Sequence, residues 1–109
     1  MIQLTASFKD NLKLLPAIAG LDRIELTDAA GSVVAVIENQ PGKQGSLAVY
    51  AYLQQAFGGL DAAAASFGLE IFAEITEDAK ARPGAHPNID RLLEITSGAA
   101  PLGLRVIAA

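Results

Sequence analysis

The amino-acid sequence predicts an α+β fold: a four-stranded, largely antiparallel sheet with helices packed mainly on one face. Three observations lead to this prediction. Segments with helical and with strand periodicity are mixed along the chain, turn-forming residues separate most of them, and 109 residues are enough for one hydrophobic core but not for two. We therefore expect residues 1–109 to form a single domain.

The N-terminal third predicts a short helix followed by a β-hairpin. Ser7 is a typical N-cap, and the apolar stripe that follows it ends at Pro16. The runs 23–27 and 33–37 are joined by the turn-forming segment 28–32. Because the second run is apolar on both faces and the first alternates, we expect the second strand to be central and the first to lie nearer an edge.

The middle of the chain predicts two helices and a strand. A turn over 39–45 precedes a helix over 46–57, and Asp61 is the predicted N-cap of a short helix that ends at Gly68. Residues 69–75 then alternate between apolar and polar side chains. That alternation predicts a third strand.

The last third predicts a helical turn, a helix and the fourth strand. Thr76 is the predicted cap of the turn, and Asn88 is the predicted cap of a helix closed by Gly98. Residues 102–107, with Leu102, Leu104, Val106 and Ile107, are predicted to form the last strand.

Charge and composition exclude several classes of partner. The net charge is −4, and the eight basic residues are scattered along the chain, so there is no basic stripe for nucleic acid or for an anionic membrane. No uncharged stretch is apolar enough to cross a bilayer. The absence of cysteine and of a signal-peptide pattern at the start favours a cytoplasmic protein.

A high apolar content predicts self-association as a homodimer. The mean hydropathy is +0.34, which is high for a small protein with much surface per volume. The helix over 46–57 carries no charge, and Tyr52 is predicted on its outer face, so we expect Tyr52 to contact the second copy. Pairing of the last strand, 102–107, across the two-fold axis is the alternative.

The segment 74–94 contains most of the ionisable groups and the one histidine of the chain. His86 is suited to general acid or base chemistry, with Asp90 or Glu74 to orient its ring and Arg91 to hold an anionic substrate. The more common outcome for such a residue is a surface connection in which His86 only hydrogen-bonds a neighbouring carbonyl group.

A second candidate is an anion site formed by Lys43, Gly45 and Ser46 at the start of a helix, where backbone amides favour negative charge. The spacing does not match a Walker motif, and a turn with a Ser46 cap is the more common structure. With one imidazole and no thiol, we expect neither a metal nor a cofactor.

Several segments together resemble a known family. These segments are 37–43, 45–50, 72–79 and 86–92, and they are similar to the family of small bacterial proteins called domain of unknown function 2322. The resemblance covers nearly the whole chain. It implies a bacterial, cytoplasmic protein with no assigned activity, and it transfers no catalytic residue to any position.

The sequence therefore favours a homodimeric binding or interaction module, with a small anionic molecule as a possible ligand. The alternative is a small enzyme that uses His86 as general acid or base, assisted by Asp90 or Glu74, with Arg91 on an anionic substrate. A pocket beside His86 would favour the enzyme, and a convex surface would favour the binding module.

Overall fold

The computed structural model describes residues 2–109, and in this range the chain forms five helices and one three-stranded sheet. None of these helices has the length and apolar content needed to cross a bilayer. The helices are α1 (Phe8–Leu12), α2 (Gln44–Phe57), α3 (Ala62–Phe72), α4 (Glu74–Ala81) and α5 (Pro87–Thr96), and the strands are β1 (Leu21–Thr27), β2 (Val33–Glu38) and β3 (Gly103–Ala108).

The sheet is antiparallel with the order β2-β1-β3, so β1 is the central strand. The prediction that the second strand is central is wrong, because the chain returns after α5 and pairs β3 with the free side of β1. Ile24 and Leu26 of β1 are fully buried, and α2 contacts all three strands. That the helices lie mainly on one face of the sheet stays a prediction.

The segment 69–75 is helical except for Ala73, so the strand predicted there is wrong and the described chain has three strands. Helix α3 passes through Gly68, and after one non-helical residue, Ala73, the chain continues as α4. The alternating residues of this segment also fit helical spacing. The buried residues of α3, which include Phe67 and Ile71, form one stripe along the helix. The helical spacing prevails because it continues back to Ala64.

Gly68 was predicted to end a helix, and instead it allows close packing. A Cβ atom at this position would lie 2.9 Å from a methyl group of Leu92 and 3.0 Å from one of Leu53. The absence of a side chain therefore lets α3 lie against α2 and α5, which carry those leucines.

Two helix starts are capped as predicted and three differ, one of them being α4, which begins at Glu74 so that the predicted cap Thr76 lies inside the helix. Ser7 and Asp61 are the N-caps of α1 and α3 and accept hydrogen bonds from backbone N–H groups. Helix α2 begins at Gln44 with Lys43 as N-cap, and α5 begins at Pro87 with His86 as N-cap in place of Asn88. Neither of those N-cap side chains caps its helix. The first amides of α2 and α5 are thus left for other partners.

Asn11 ties the N-terminal segment to α3. Its side chain is fully buried, accepts hydrogen bonds from the backbone N–H and the hydroxyl of Thr5, and donates to the carbonyl groups of Thr5 and Ile71. All polar atoms of the Asn11 amide have partners, so its burial carries no desolvation penalty from an unpaired group.

Tyr52 lies in the core, and the prediction that it faces outward is wrong. It is 8% exposed, its ring packs 6.1 Å from that of Phe67, and its hydroxyl accepts a hydrogen bond from the N–H of Ile2. It therefore offers almost no surface for the predicted dimer contact. The alternative contact, the last strand, stays open because β3 forms one edge of the sheet.

Ala73 connects α3 to α4 with φ 51° and ψ −118°, a left-handed conformation that costs a residue with a side chain about 1–3 kcal/mol. Glycine adopts this conformation without that cost but loses about 1 kcal/mol through the greater freedom of the unfolded chain. We therefore expect Ala73→Gly to raise the free energy of unfolding by about 1 kcal/mol in urea denaturation.

The matched control is Ala63→Gly, at an exposed position of α3. In a helix this change should lower stability by about 1 kcal/mol. If Ala73→Gly destabilises the protein as much as the control does, Ala73 is not strained.

Candidate functional site

A cavity of about 450 Å³ brings together two segments that are far apart in the sequence. One segment is the start of α2, and the other is the start of α5 with the residues before it. The lining residues are Gly42, Gln44, Gly45, Ser46, Ala85, His86, Pro87, Asn88 and Ile89, together with Phe8, Phe72 and Ile75. The cavity therefore joins the histidine candidate to part of the anion candidate.

The side chain of His86, the N-cap residue of α5, is held by a carboxylate group of α4. Its Nε2 atom lies 2.6 Å from Oδ2 of Asp78, and its side chain is 29% exposed. Arg82 donates to both oxygens of the same carboxylate, with its Nε 3.0 Å from Oδ1. Asp78 lies on α4 and Arg82, four residues later, is the C-cap of that helix, so the last helical turn aligns the pair.

Asp78 remains ionised at neutral pH. Hydrogen bonds from Arg82 and then from His86 hold its pKa well below the ordinary value of 3.8, against a smaller opposing effect of burial. An ionised carboxylate only accepts, so Nε2 of His86 is the donor and its tautomer is fixed. The other ring nitrogen, Nδ1, then accepts in the neutral ring and donates in the protonated ring.

The four predicted catalytic residues have separate partners. Glu74 accepts a hydrogen bond from the N–H of Phe8 at 2.7 Å, and Asp90 accepts one from the N–H of Gly84 at 2.9 Å. Within residues 2–109 no side-chain hydrogen bond or ion pair joins any two of His86, Asp90, Arg91 and Glu74. The carboxylate that orients His86 is thus Asp78, which lies in the ionisable segment 74–94 but was not singled out there.

Arg91 secures α5 against α2. Its Nη1 donates to the hydroxyl of Tyr50 at 3.1 Å and to Oδ1 of Asn88 at 2.9 Å, and its guanidinium carbon lies 5.8 Å from the centre of the Tyr50 ring. The Tyr50 hydroxyl in turn donates to the carbonyl group of Asn88. Burial raises the pKa of Tyr50 to about 12, so its hydroxyl stays protonated.

The predicted anion site is only partly present at the cavity. Gly45 and Ser46 line it, within the first turn of α2, but Lys43 does not, and its Nζ lies 3.8 Å from Oε1 of Glu38. The N–H groups of a first helical turn have no partner within the helix and give that end a partial positive charge. At α5, Pro87 has no N–H group, so Asn88 supplies the first amide of that helix.

The cavity has a polar side and an apolar side. The rings of Phe8 and Phe72 lie 5.1 Å apart and, with Ile75 and Ile89, form the apolar side. None of the described lining residues is acidic, although the chain has twelve acidic residues, and His86 is the one ionisable group among them. Such a cavity suits a molecule that combines an anionic group with an apolar body.

Metal binding finds no support in the described part of the chain, where no three His, Asp or Glu side chains form a group that would hold an ion.

The sequence singled out His86, Gly45 and Ser46, which line the cavity, but it did not indicate the apolar side of the cavity or the contact between Asp78 and His86. Asp78 and His86 are eight residues apart with a break between two helices, and this spacing carries no periodic signal. Phe8 and Phe72 come from opposite parts of the chain. Only the three-dimensional fold places them together.

The lowered pKa of Asp78 predicts how stability depends on pH. A carboxylate whose pKa is lower in the folded state stabilises the fold above its unfolded pKa of about 3.8 and loses that effect as the pH falls through the folded value. We expect Asp78→Asn to lower the thermal midpoint at neutral pH, and to make its further fall in acid shallower than in the wild type. Thermal unfolding between about pH 7 and pH 2 measures this.

Arg82→Ala is the companion variant, because Arg82 is the largest cause of the shift. It should move the acid-induced loss of stability to higher pH and leave the Asp78 carboxyl in place. If the thermal midpoints of the wild type and of both variants fell equally as the pH is lowered, that result would contradict the assigned role of Asp78.

Comparison with known proteins gives one match. No curated protein and no solved structure matches the chain. A family model described as "uncharacterized protein conserved in bacteria" (DUF2322) matches residues 8–106, which include every described helix, β1, β2 and four of the six residues of β3. This confirms the resemblance inferred from the sequence. The chain belongs to the bacterial domain of unknown function 2322 family.

Proposed function

We propose that this chain is a homodimeric binding module whose ligand is a small molecule with a carboxylate or phosphate group attached to an apolar body. The observation that carries the proposal is the cavity of about 450 Å³ lined by His86 and by the first turns of α2 and α5. Its volume lies within the range of about 300–1,000 Å³ that is usual for small-molecule sites.

Electrostatics supports an anionic ligand. The protein has a net charge of −4, yet the lining residues include no carboxylate, and two helix N-termini without side-chain caps contribute to the wall. A ligand anion at Ser46 and Asn88 would accept hydrogen bonds from amides that have no helical partner. Protonation of His86 would add a full positive charge at the same wall.

The apolar side of the cavity supports a ligand that has an apolar body in addition to its charged group. Phe8 and Ile75, which are partly exposed, would be covered by an apolar body, and their burial contributes about 25 cal/mol per Å² of apolar area removed from water. An inorganic anion would use only the polar side of the cavity. We therefore expect an aromatic or branched acid to bind more tightly than phosphate.

Binding is favoured over catalysis because the residues required for the enzyme have other partners. Asp90 and Glu74 accept backbone hydrogen bonds, and Arg91 is committed to Tyr50 and Asn88. His86 alone lines the cavity as an acid or base, and no observation assigns a second reacting group beside it.

Ser46→Asp tests the proposal. Ser46 is the third residue of α2, where an aspartate stabilises the helix, so the fold should be retained while a negative charge enters the cavity wall. We expect benzoate to bind the wild type more tightly than inorganic phosphate does. Both should bind the variant at least ~10-fold more weakly, as measured by calorimetric titration.

Ser66→Asp is the matched control, because it makes the same change at an exposed position of α3 that does not line this cavity. It should bind both probes as the wild type does. Equal weakening in the two variants would point to the overall charge of the protein, and no binding of either probe to the wild type at millimolar concentration would refute the proposed ligand class.

A further inference from the structure

The strongest surface feature outside the cavity is the edge strand β2. In the described chain four large apolar residues are exposed, and three of them lie on this strand: Val33 at 45%, Val34 at 53% and Val36 at 47%. Natural edge strands usually carry charge, proline or a covering element that prevents pairing with another chain. β2 has its one charged residue, Glu38, at its end.

The three valines lie on the same face of the sheet. Val36 pairs with Glu25, and after the irregularity between Leu26 and Thr27, Val33 pairs with Thr27. Glu25 and Thr27 point away from the buried side chains of β1, so their partners do as well. Val34 is two residues from Val36 and shares its side. The apolar patch therefore follows the outer face along the strand.

The backbone of Val36 is directed to the open edge. The N–H of Asn39 donates to the carbonyl group of Asp22 on β1. Alternate residues of an antiparallel strand direct their backbone groups to the same neighbour, so Ile37 and Ala35 also face β1. Val36, which lies between them, presents its N–H and C=O groups on the other side, where β2 has no neighbouring strand.

We propose that two copies of this chain associate through their β2 strands, antiparallel and with Val36 on the two-fold axis, to form one continuous six-stranded sheet. The proposal rests on the homodimer of the proposed function and names its contact surface. Each Val36 N–H donates to the Val36 carbonyl group of the other copy, and the two Val36 side chains meet on the outer face.

The absence of opposed like charges favours a second copy as the occupant. In this register the partner residue of Glu38 is Val34 of the other copy, so no two carboxylates oppose each other. Each Glu38 also has Lys43 of its own chain 3.8 Å away. From residue 29 to residue 37 the chain has no charged side chain, so pairing removes no unpaired charge from water.

The area of the β2 interface determines how strong a dimer we expect. A stable dimer buries about 800 Å² on each partner, and the whole surface of this chain is 5780 Å². Pairing along one six-residue edge covers less than a standard interface. We therefore expect a dimer that dissociates on dilution, with a dissociation constant of about 10–100 μM.

Single cysteines test both the surface and the register, because the chain has no cysteine of its own. Two Val36→Cys residues would have Cα atoms about 5.5 Å apart, which permits a disulfide. Two Val34→Cys residues would be displaced by four positions, about 13 Å along the strands, which forbids one. We expect mild oxidation to cross-link Val36→Cys at least ~10-fold faster than Val34→Cys, although Val34 is the more exposed of the two.

Val36→Lys tests the association without cross-linking. Analytical ultracentrifugation should show a monomer–dimer equilibrium for the wild type and a dissociation constant at least ~10-fold higher for the variant. Leu14→Lys is the matched control, because Leu14 is 43% exposed and lies outside the sheet, and it should dimerise as the wild type does. Circular dichroism checks that both variants remain folded.

The two variants test the β2 interface and the proposed ligand independently. Val36→Lys should bind benzoate as a monomer, and Ser46→Asp should dimerise without binding it. A wild type that stays monomeric at ~1 mM, or a dimer that is unaffected by Val36→Lys, overturns the β2 interface. Equal cross-linking of the two cysteine variants overturns the register, and either result leaves the cavity proposal to be judged by titration alone.

Discussion

The turn at Ala73 is the constraint on which the site depends. It ends α3 at Phe72 and starts α4 at Glu74, so the two helices diverge within a single residue. One consequence is that Phe72 and Ile75, on either side of the turn, both line the cavity. Another is that Glu74 accepts a hydrogen bond from the N–H of Phe8, which fixes a third lining residue. A continuous helix through Ala73 would point α4 in a different direction and separate Asp78 from His86.

The sequence predicted the fold class, the hairpin, the last strand and two N-caps, because local patterns determine each of these. It failed at 69–75, where alternation and helical spacing fit the same residues and the helical spacing prevails because it continues back to Ala64. It also misplaced β2, because apolar residues on both faces are typical of a central strand. Nothing local in the sequence indicates that β3 pairs with β1 across about 80 residues.

The sequence singles out three residues that line the cavity, but it does not indicate how they are arranged. His86 stood out because it is the one histidine, and Gly45 and Ser46 because of their place before an apolar helix. Their convergence on one cavity depends on how α2 and α5 pack through α3, which no short motif encodes. Asp90 and Glu74 were predicted as partners of His86 because both lie in the ionisable segment 74–94, which also contains Asp78. Both carboxylates instead satisfy backbone N–H groups, a demand that becomes visible only when the helix and loop ends are placed.

A high apolar content does not by itself require a partner. A monomeric protein of 11.3 kDa is expected to expose about 5,700 Å², and this chain exposes 5780 Å², so one copy folds to an ordinary total surface. Many of the apolar side chains are buried in the core, where Ala64, Ala65 and Gly68 let the helices approach closely. What argues for association is position: three exposed valines share one strand, beside backbone groups directed to an open edge. The same side chains scattered over the helices would be unremarkable surface residues.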